Sequence, residues 1–448
     1  YIKVNVDQFY GIEIEEFPGQ IAEVALWLTD HQMNMLVQEK FGRYFRRIPL
    51  QKSATILCAN ALTTDWETVV PKTELSYILG NPPFGGARIM DENQKADLLA
   101  VFDGLKNAGN LDFVTAWYKK AAVYIQGTKI EAAFVSTNSI CQGEQVPILW
   151  PELMNRHGAV INFAHTTFRW SNEARGQAAV YCMIVGFGLL EWKAKRLFQY
   201  ASVDGEPVEV AAKNINAYLI DGPNIFIDSK TEPICDVPDI GIGNKPIDDG
   251  NYLFTDEEKA EFEKKEPLAG GYFRRWYGSD EFINNRPRWC LWLGDCSPME
   301  LKKMPLALER VENVRKFRLA SKSEGTRKIA SKPTRFHVEN MPTSDFILIP
   351  KVSSERRQYV PIGFMTPRTL CSDLVFIIPD SSFYHFGILT STMHMAWMRY
   401  VCGRLKSDYR YSKDIVYNNF PWPEPSDKQK ADIEAAAQGV LDARAKFP

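Results

Sequence analysis

What this chain of 448 residues lacks narrows its class before any motif is read. It has no apolar run near the roughly 20 residues that a membrane-spanning helix needs, and no N-terminal stretch that reads as a signal peptide. Its eight cysteines (58, 141, 182, 235, 290, 296, 371 and 402) form no Cys-x-x-Cys pair. A disulfide framework is therefore not expected, and a reducing cytoplasm fits best. Cys290 and Cys296 stand nearest one another, but no histidine or third cysteine accompanies them as a zinc site requires, so they read as core thiols and no metal is expected. Internal repeats and low-complexity tracts are also missing, which sets aside solenoids and disordered linkers. Hydrophobic residues at 45% and charged residues at 24% are those of a globular protein long enough for two or three cores.

A net charge of −2 lacks the basic excess common in nucleic-acid proteins, yet the average conceals a division. From Asp204 to Glu266 there are 16 acidic and 6 basic residues, whereas Arg274 to Arg357 holds 18 basic and 10 acidic. A basic segment of that kind reads either as a phosphate-binding surface or as a solvated face.

The first 190 residues alternate short apolar runs with helical patterns, which predicts a largely parallel sheet covered on both faces. Expected strands are Phe9 to Ile14, Thr55 to Ala59, Tyr77 to Gly80, Glu131 to Asn138, Val160 to Ala164 and Ala178 to Phe187, the last two pairing as an antiparallel edge. Expected helices are Ile21 to Leu36, Asp112 to Ile125 and Pro147 to Arg156. Beyond Lys195 the segments shorten and fill with Gly, Pro and Asp. The division read here is 1–195, 196–370 and a helical end, 371–448. The second part contains a helix over Pro305 to Ser321, with Val311, Val314 and Phe317 on an apolar side and Arg315, Arg318 and Lys322 on another. The last part closes with a helix from Ser426 to Phe447, opened by a Ser426-x-x-Gln429 capping box.

Asn81-Pro82-Pro83-Phe84 follows the strand Tyr77 to Gly80. An amide offers donor and acceptor, two prolines fix the backbone and a ring supplies a stacking face, a set that can hold a planar exocyclic amine. Turns of Asn, Pro and Gly also occur for purely structural reasons. Glu13 ends a strand where an acid can accept from two ribose hydroxyls, although strand-end acids often serve only as solvated caps. Phe168 and Trp170, within Thr166-Thr167-Phe168-Arg169-Trp170, read by themselves as ordinary core.

The order of these stretches resembles the γ-class amino-methyltransferases of DNA, in which an Asn-Pro-Pro-aromatic motif ends the fourth strand of a Rossmann-like fold that binds S-adenosylmethionine. Three further stretches sharpen the resemblance to MmeI-like single-chain restriction-modification enzymes: Arg286 to Asp295, Ile349 to Arg357, and Gly403 to Ser412 through Asn418-Asn419-Phe420-Pro421-Trp422-Pro423. The fold class implied is α/β, a methyltransferase sheet followed by an α+β target-recognition domain and a helical tail.

That resemblance implies transfer of methyl from S-adenosylmethionine to adenine N6 in double-stranded DNA. Asn81, Pro82, Pro83 and Phe84 would be catalytic, Phe168 and Trp170 the base pocket, and Glu13, Asn60 and Ala61 the cofactor contacts; Asn60 stands where the family often has Asp. For base edges the reading favours Lys351, Glu355, Arg356 and Arg357, and for phosphates Arg315, Arg318 and Lys322. Arg274 and Arg275, with Arg404 to Tyr411, interleave cations and aromatics as a backbone-tracking surface does.

Two family features are missing from the sequence. It has no glycine-rich strand-turn like Asp-Pro-Ala-Cys-Gly-Ser-Gly and no Asp...Glu-x-Lys nuclease pattern, so upstream residues are expected to carry the first strand, and the sequence leaves open whether a nuclease domain is attached in the parent chain. Two alternatives stay open: a protein glutamine methyltransferase, which shares Asn-Pro-Pro-aromatic but lacks a long basic domain, and a non-catalytic DNA-recognition fragment.

Overall fold

A computed structural model describes residues 3–42, 53–170, 180–286, 288–405 and 407–446. The chain divides into two compact units, residues 1–226 and 227–448. In the first unit, β1 (Tyr10–Glu13) leads into α1 (Glu16–Phe41) and returns as β2 (Thr55–Cys58), which pairs with β1 in parallel. A second sheet then begins with β3 (Tyr77–Gly80), followed by α2 (Glu92–Val101), α3 (Thr115–Tyr124), β4 (Glu131–Thr137), α4 (Val146–Trp150), β5 (Val160–Trp170), β6 (Val180–Gly188), β7 (Lys195–Tyr200) and β8 (Pro207–Ala212). Its strand order is β3-β4-β6-β5-β7-β8.

Side-chain alternation explains the best-formed strand. In β4, Ala132, Phe134 and Ser136 point into the core and the intervening residues are less buried. Tyr118 of α3 lies over this face, its hydroxyl reaching the Phe134 carbonyl and Ser136 Oγ, both at 3.1 Å, while its ring stacks on Phe187.

Two expectations about this sheet are corrected. β5 and β6 are antiparallel, but they do not form its edge, because β7 pairs with β5 in parallel and β8 follows β7. β8 escaped the sequence reading because all but one of its residues are exposed, leaving no apolar alternation to detect. The first unit accordingly runs past the boundary expected near Lys195. Ala178 and Ala179, expected to open the sixth strand, lie outside the described residues.

Among the described residues the second unit contains three small sheets. Leu253–Phe254, Arg288–Leu291, Phe273–Tyr277 and Thr369–Cys371 form one; Gly363–Met365, Phe346–Pro350, Val375–Ile378 and Gly241–Ile242 form another. The third joins Val352–Ser353 to the hairpin Gly403–Leu405 and Asp408–Arg410. The long helix spans Pro305–Leu319 and the C-terminal helix Asp427–Ala445, the latter opened by the expected box, with the Ser426 N–H donating to Gln429 Oε1 at 2.9 Å. Phe447 lies outside the described residues. No described helix is long and apolar enough to cross a membrane.

Candidate active site and nucleic-acid interface

Parallel strands expose their carboxyl ends on one side of a sheet, and ligands of such folds bind beyond those ends. β1, β2 and β3 all end on one cavity of about 960 Å³, lined by Glu13, Asn60, Ala61, Asn81, Pro82, Pro83 and Asp97 among others, with Tyr10, Trp66, Phe113 and Trp117 as aromatic wall. Six of the nine residues expected to handle cofactor and base therefore meet in one place.

Their local geometry follows from strand endings. Glu13 curls over the end of β1, and its Oε1 accepts from the N–H groups of Ile14 at 2.9 Å and Glu15 at 3.3 Å. This fixes the carboxylate and leaves Oε2 for a ligand. Beyond β2, Asn60 forms a turn in which its Oδ1 accepts from the Leu62 N–H at 2.9 Å, while its Nδ2 donates to Asp97 Oδ2 at 2.7 Å. Both ends of the Asn60 amide are thus occupied, and the acceptor facing the cavity is Asp97 on α2. Sequence reasoning missed Asp97 because an acid in a short polar helix reads as solvated surface.

At the end of β3, Gly80 passes so close to β4 that a Cβ there would stand 3.1 Å from the Phe134 ring. Asn81 and Pro83 are exposed to the cavity and Pro82 is buried. Phe84 is outside the cavity lining; it turns inward and packs against the core. Phe168 and Trp170 are also elsewhere. They lie at the same end of the sheet as Asn81, but β4 and β6 intervene, an offset of about 14 Å across three strand steps. There Phe168 stacks on Tyr200 at 5.3 Å and tilts against Trp170 at 6.1 Å.

In the second unit the long-range pairing joins two stretches that are some fifty residues apart. Val352 pairs with Arg410 and Ser353 with Tyr409, and the Glu355 N–H donates to Asp408 Oδ1 at 3.3 Å. The turn carrying Glu355, Arg356 and Arg357 is thereby held beside the hairpin that carries Arg404. Arg356 and Arg357 are exposed, as is Lys322; Arg315 is exposed and pairs with Glu312 at 3.5 Å on the same helix. Lys351 is half-buried with its Nζ 4.7 Å from the centre of the Phe376 ring, and burial lowers its pKa from the ordinary lysine value.

The remaining cations are engaged within the fold. Arg274 donates to the Gly271 and Phe273 carbonyls, and Arg275 stacks over Trp289 at 4.1 Å while meeting Asp256 at 3.5 Å. Arg404 stacks on Tyr409 at 3.9 Å and donates to the Ser407 carbonyl.

Two expectations are overturned outright. Arg318 is fully buried and donates to the carbonyls of Pro246, Ile247, Ile329, Lys332 and Arg335, so it has no donor left for a phosphate. The buried face of its helix is Ala307, Val311, Val314 and Arg318, with Phe317 exposed. Tyr411 is buried too, its hydroxyl 3.0 Å from His394 Nε2; His394 is itself fully buried, and that desolvation holds its pKa down at about 3.

The sheet, the Asn-Pro-Pro turn at the end of its strand and the cavity beside it define a methyltransferase domain of the Rossmann-like class, here followed by a target-recognition domain and a helical C-terminal end. The family model described as "MmeI, DNA-methyltransferase domain" matches residues 1–199, and "MmeI, target recognition domain" matches residues 221–424. The chain belongs to the MmeI family. It is 42% identical over 444 residues to DNA methyltransferase A of Bacillus subtilis (strain 168), covering 98% of this chain and 50% of that protein. It is also similar to the type IIL restriction-modification enzyme MmeI, whose structure was determined in complex with DNA, with a TM-score of 0.91 and 54% identity. That match covers 100% of this chain and 60% of the MmeI chain, so the present sequence spans between half and two thirds of these relatives.

Proposed function

We propose that this chain carries the methyl-transfer and site-reading parts of a restriction-modification enzyme that methylates adenine N6 in duplex DNA, with S-adenosylmethionine as donor. The observation that carries the reading is the single cavity that joins Asn81 and Pro82 to Glu13 and Asp97. One end of it has the acceptors a nucleoside needs, and the other has the acceptors a target amine needs.

The residues present fit the cofactor. Glu13 Oε2 is free to accept from ribose hydroxyls, Asp97 and the Asn60 turn face the position of a nucleobase amine, and the aromatic wall of Tyr10 and Trp66 suits a planar ring. Bound there, S-adenosylmethionine supplies an electrophilic methyl on a sulfonium. The rest of the work falls to the chain. The Asn81 amide oxygen and the Pro82 carbonyl accept from the two hydrogens of the target N6 amine, which directs its lone pair away from them and toward the methyl. No strong general base is required, because the gain comes from aligning nucleophile and methyl in a site cleared of water. Reaching the amine requires the adenine to leave the duplex stack, and a turn that two prolines make rigid, with Asn81 and Pro83 exposed to the cavity, is suited to receive it.

Support for DNA as the substrate comes from the exposed Arg356–Arg357 turn and from the DNA-bound state of MmeI. The test is transfer of labelled methyl from S-adenosylmethionine to duplex DNA by the full-length protein, followed by nucleoside analysis. N6-methyladenine is the expected product. N4-methylcytosine would move the target base, and label found only in protein would favour the glutamine-methyltransferase alternative.

Site reading has its own expected result. Arg356→Ala should relax the recognition sequence at one position, costing about 1–3 kcal/mol in discrimination, without abolishing transfer. Methylation of a plasmid library, sequenced for modified sites, reads this directly; an unchanged site would remove Arg356 from the base-reading set.

A further inference from the structure

A turn containing Pro82 and Pro83 has lost two backbone donors, so it cannot pin itself, and something outside it must hold Asn81 in register. The chain supplies one buried carboxylate at that place. Asp112, just ahead of α3, is 3% exposed, which is costly for a carboxylate unless its oxygens are satisfied. They are. Oδ1 accepts from the Gly85 N–H at 3.0 Å and the Val114 N–H at 3.2 Å, and Oδ2 accepts from Thr137 Oγ1 at 3.1 Å.

Only the Val114 contact is local to the helix start. The other two reach 27 residues back to the catalytic turn and 25 residues forward to the end of β4. Gly85 is gripped from both sides, since its carbonyl accepts from the Phe113 N–H at 2.8 Å. The approach is close: a Cβ on Gly85 would stand 3.2 Å from both Met90 Cγ and Phe113 Cβ. The Asp112 backbone is tied in turn, its N–H donating to Gln145 Oε1 at 3.0 Å.

We propose that Asp112 is the positioning residue of the methyl-transfer reaction, fixing the Asn81-Pro82-Pro83-Phe84 turn against α3 and β4 so that the amine acceptors keep their aim. It touches neither cofactor nor base. Its effect is on alignment, where a shift of about 1 Å can cost a hundredfold in rate. The proposal rests on the methyl-transfer reading, and its test separates the two.

The variants are Asp112→Ala, which removes all three acceptor contacts, and Asp112→Asn, which keeps Oδ1 for Gly85 and Val114 and can donate from Nδ2 to Thr137 Oγ1. In the full-length protein, Asp112→Ala should lower kcat about 30- to 100-fold while the KM for DNA and for S-adenosylmethionine stays within about threefold, the pattern of an interaction felt at the transition state. Asp112→Asn should recover to within about fivefold of the native rate. In parallel, amide hydrogen exchange of the peptide covering 81–90 should accelerate in the alanine variant and not in the asparagine variant, with the peptide covering 131–137 unchanged. If the native protein methylates no adenine, the functional reading fails, and the exchange result alone decides the positioning claim. Native kcat in Asp112→Ala, an unchanged loop exchange rate, or acceleration spread equally over both peptides would each overturn it.

Discussion

Asn81→Ala should reduce methyl transfer by about a thousandfold or below detection, while affinity for duplex DNA stays within a few-fold of native. The size follows from what is lost: removal of one preorganised polar group at a reacting centre commonly costs 10²–10³ in rate, and Asn81 would hold the attacking amine itself. The selectivity follows from where it sits. Its side chain is exposed at a strand end, so shortening it opens no cavity in the core and removes no buried partner. Gel-shift titration and labelled-methyl transfer on the same preparation give the two numbers. Equal loss in both would assign Asn81 to holding the fold. Asn81→Asp sharpens the test, because a carboxylate keeps the acceptor and cannot donate; partial activity there would place the function in accepting from the amine.

The sequence made the Asn-Pro-Pro turn legible because its signal is local. Four consecutive residues after a short apolar run define it, and Glu13 is equally local, an acid at a strand end. The Ser426–Gln429 capping box was legible for the same reason, since a cap is decided within one helical turn. Contacts that depend on distant chain segments were not. Asp97 and Asp112 each sit in a polar or amphipathic stretch that reads as ordinary surface or helix start. Their partners, Asn60 for one and Gly85 and Thr137 for the other, lie 25 to 37 residues away. The pairing of 352–353 with 409–410 is also non-local, which is why the basic stretches could be picked out singly but not assembled. β8 is a different kind of miss, because a strand with one buried residue carries no periodic signal at all.

Arg318 is the case in which composition pointed the wrong way, and the structure converts the error into a large expected effect. A helical wheel places it with Arg315 and Lys322 as one more surface cation. A phosphate-contacting arginine, replaced by alanine, would leave folding intact and lower the salt dependence of DNA binding by about one ion. The observed environment predicts the reverse. Five carbonyls from two separate segments, 246–247 and 329–335, converge on this one guanidinium, and their combined dipoles replace the water it lost. Burial lowers its pKa from the ordinary arginine value, but guanidinium remains the charged form at any working pH. Alanine would leave five acceptors buried without a donor around a void. At about 1 kcal/mol or more per orphaned group, offset in part by entering water, the expected loss is about 3–5 kcal/mol. For a unit of this size that is a fall in melting temperature of about 6–20 °C. Arg318→Lys should recover only part of it, since an ammonium has three donors where five acceptors wait. Thermal unfolding of the three proteins, with a salt titration of DNA binding on any that stay folded, decides between the roles. A native melting temperature with a shallower salt slope would return Arg318 to the DNA surface.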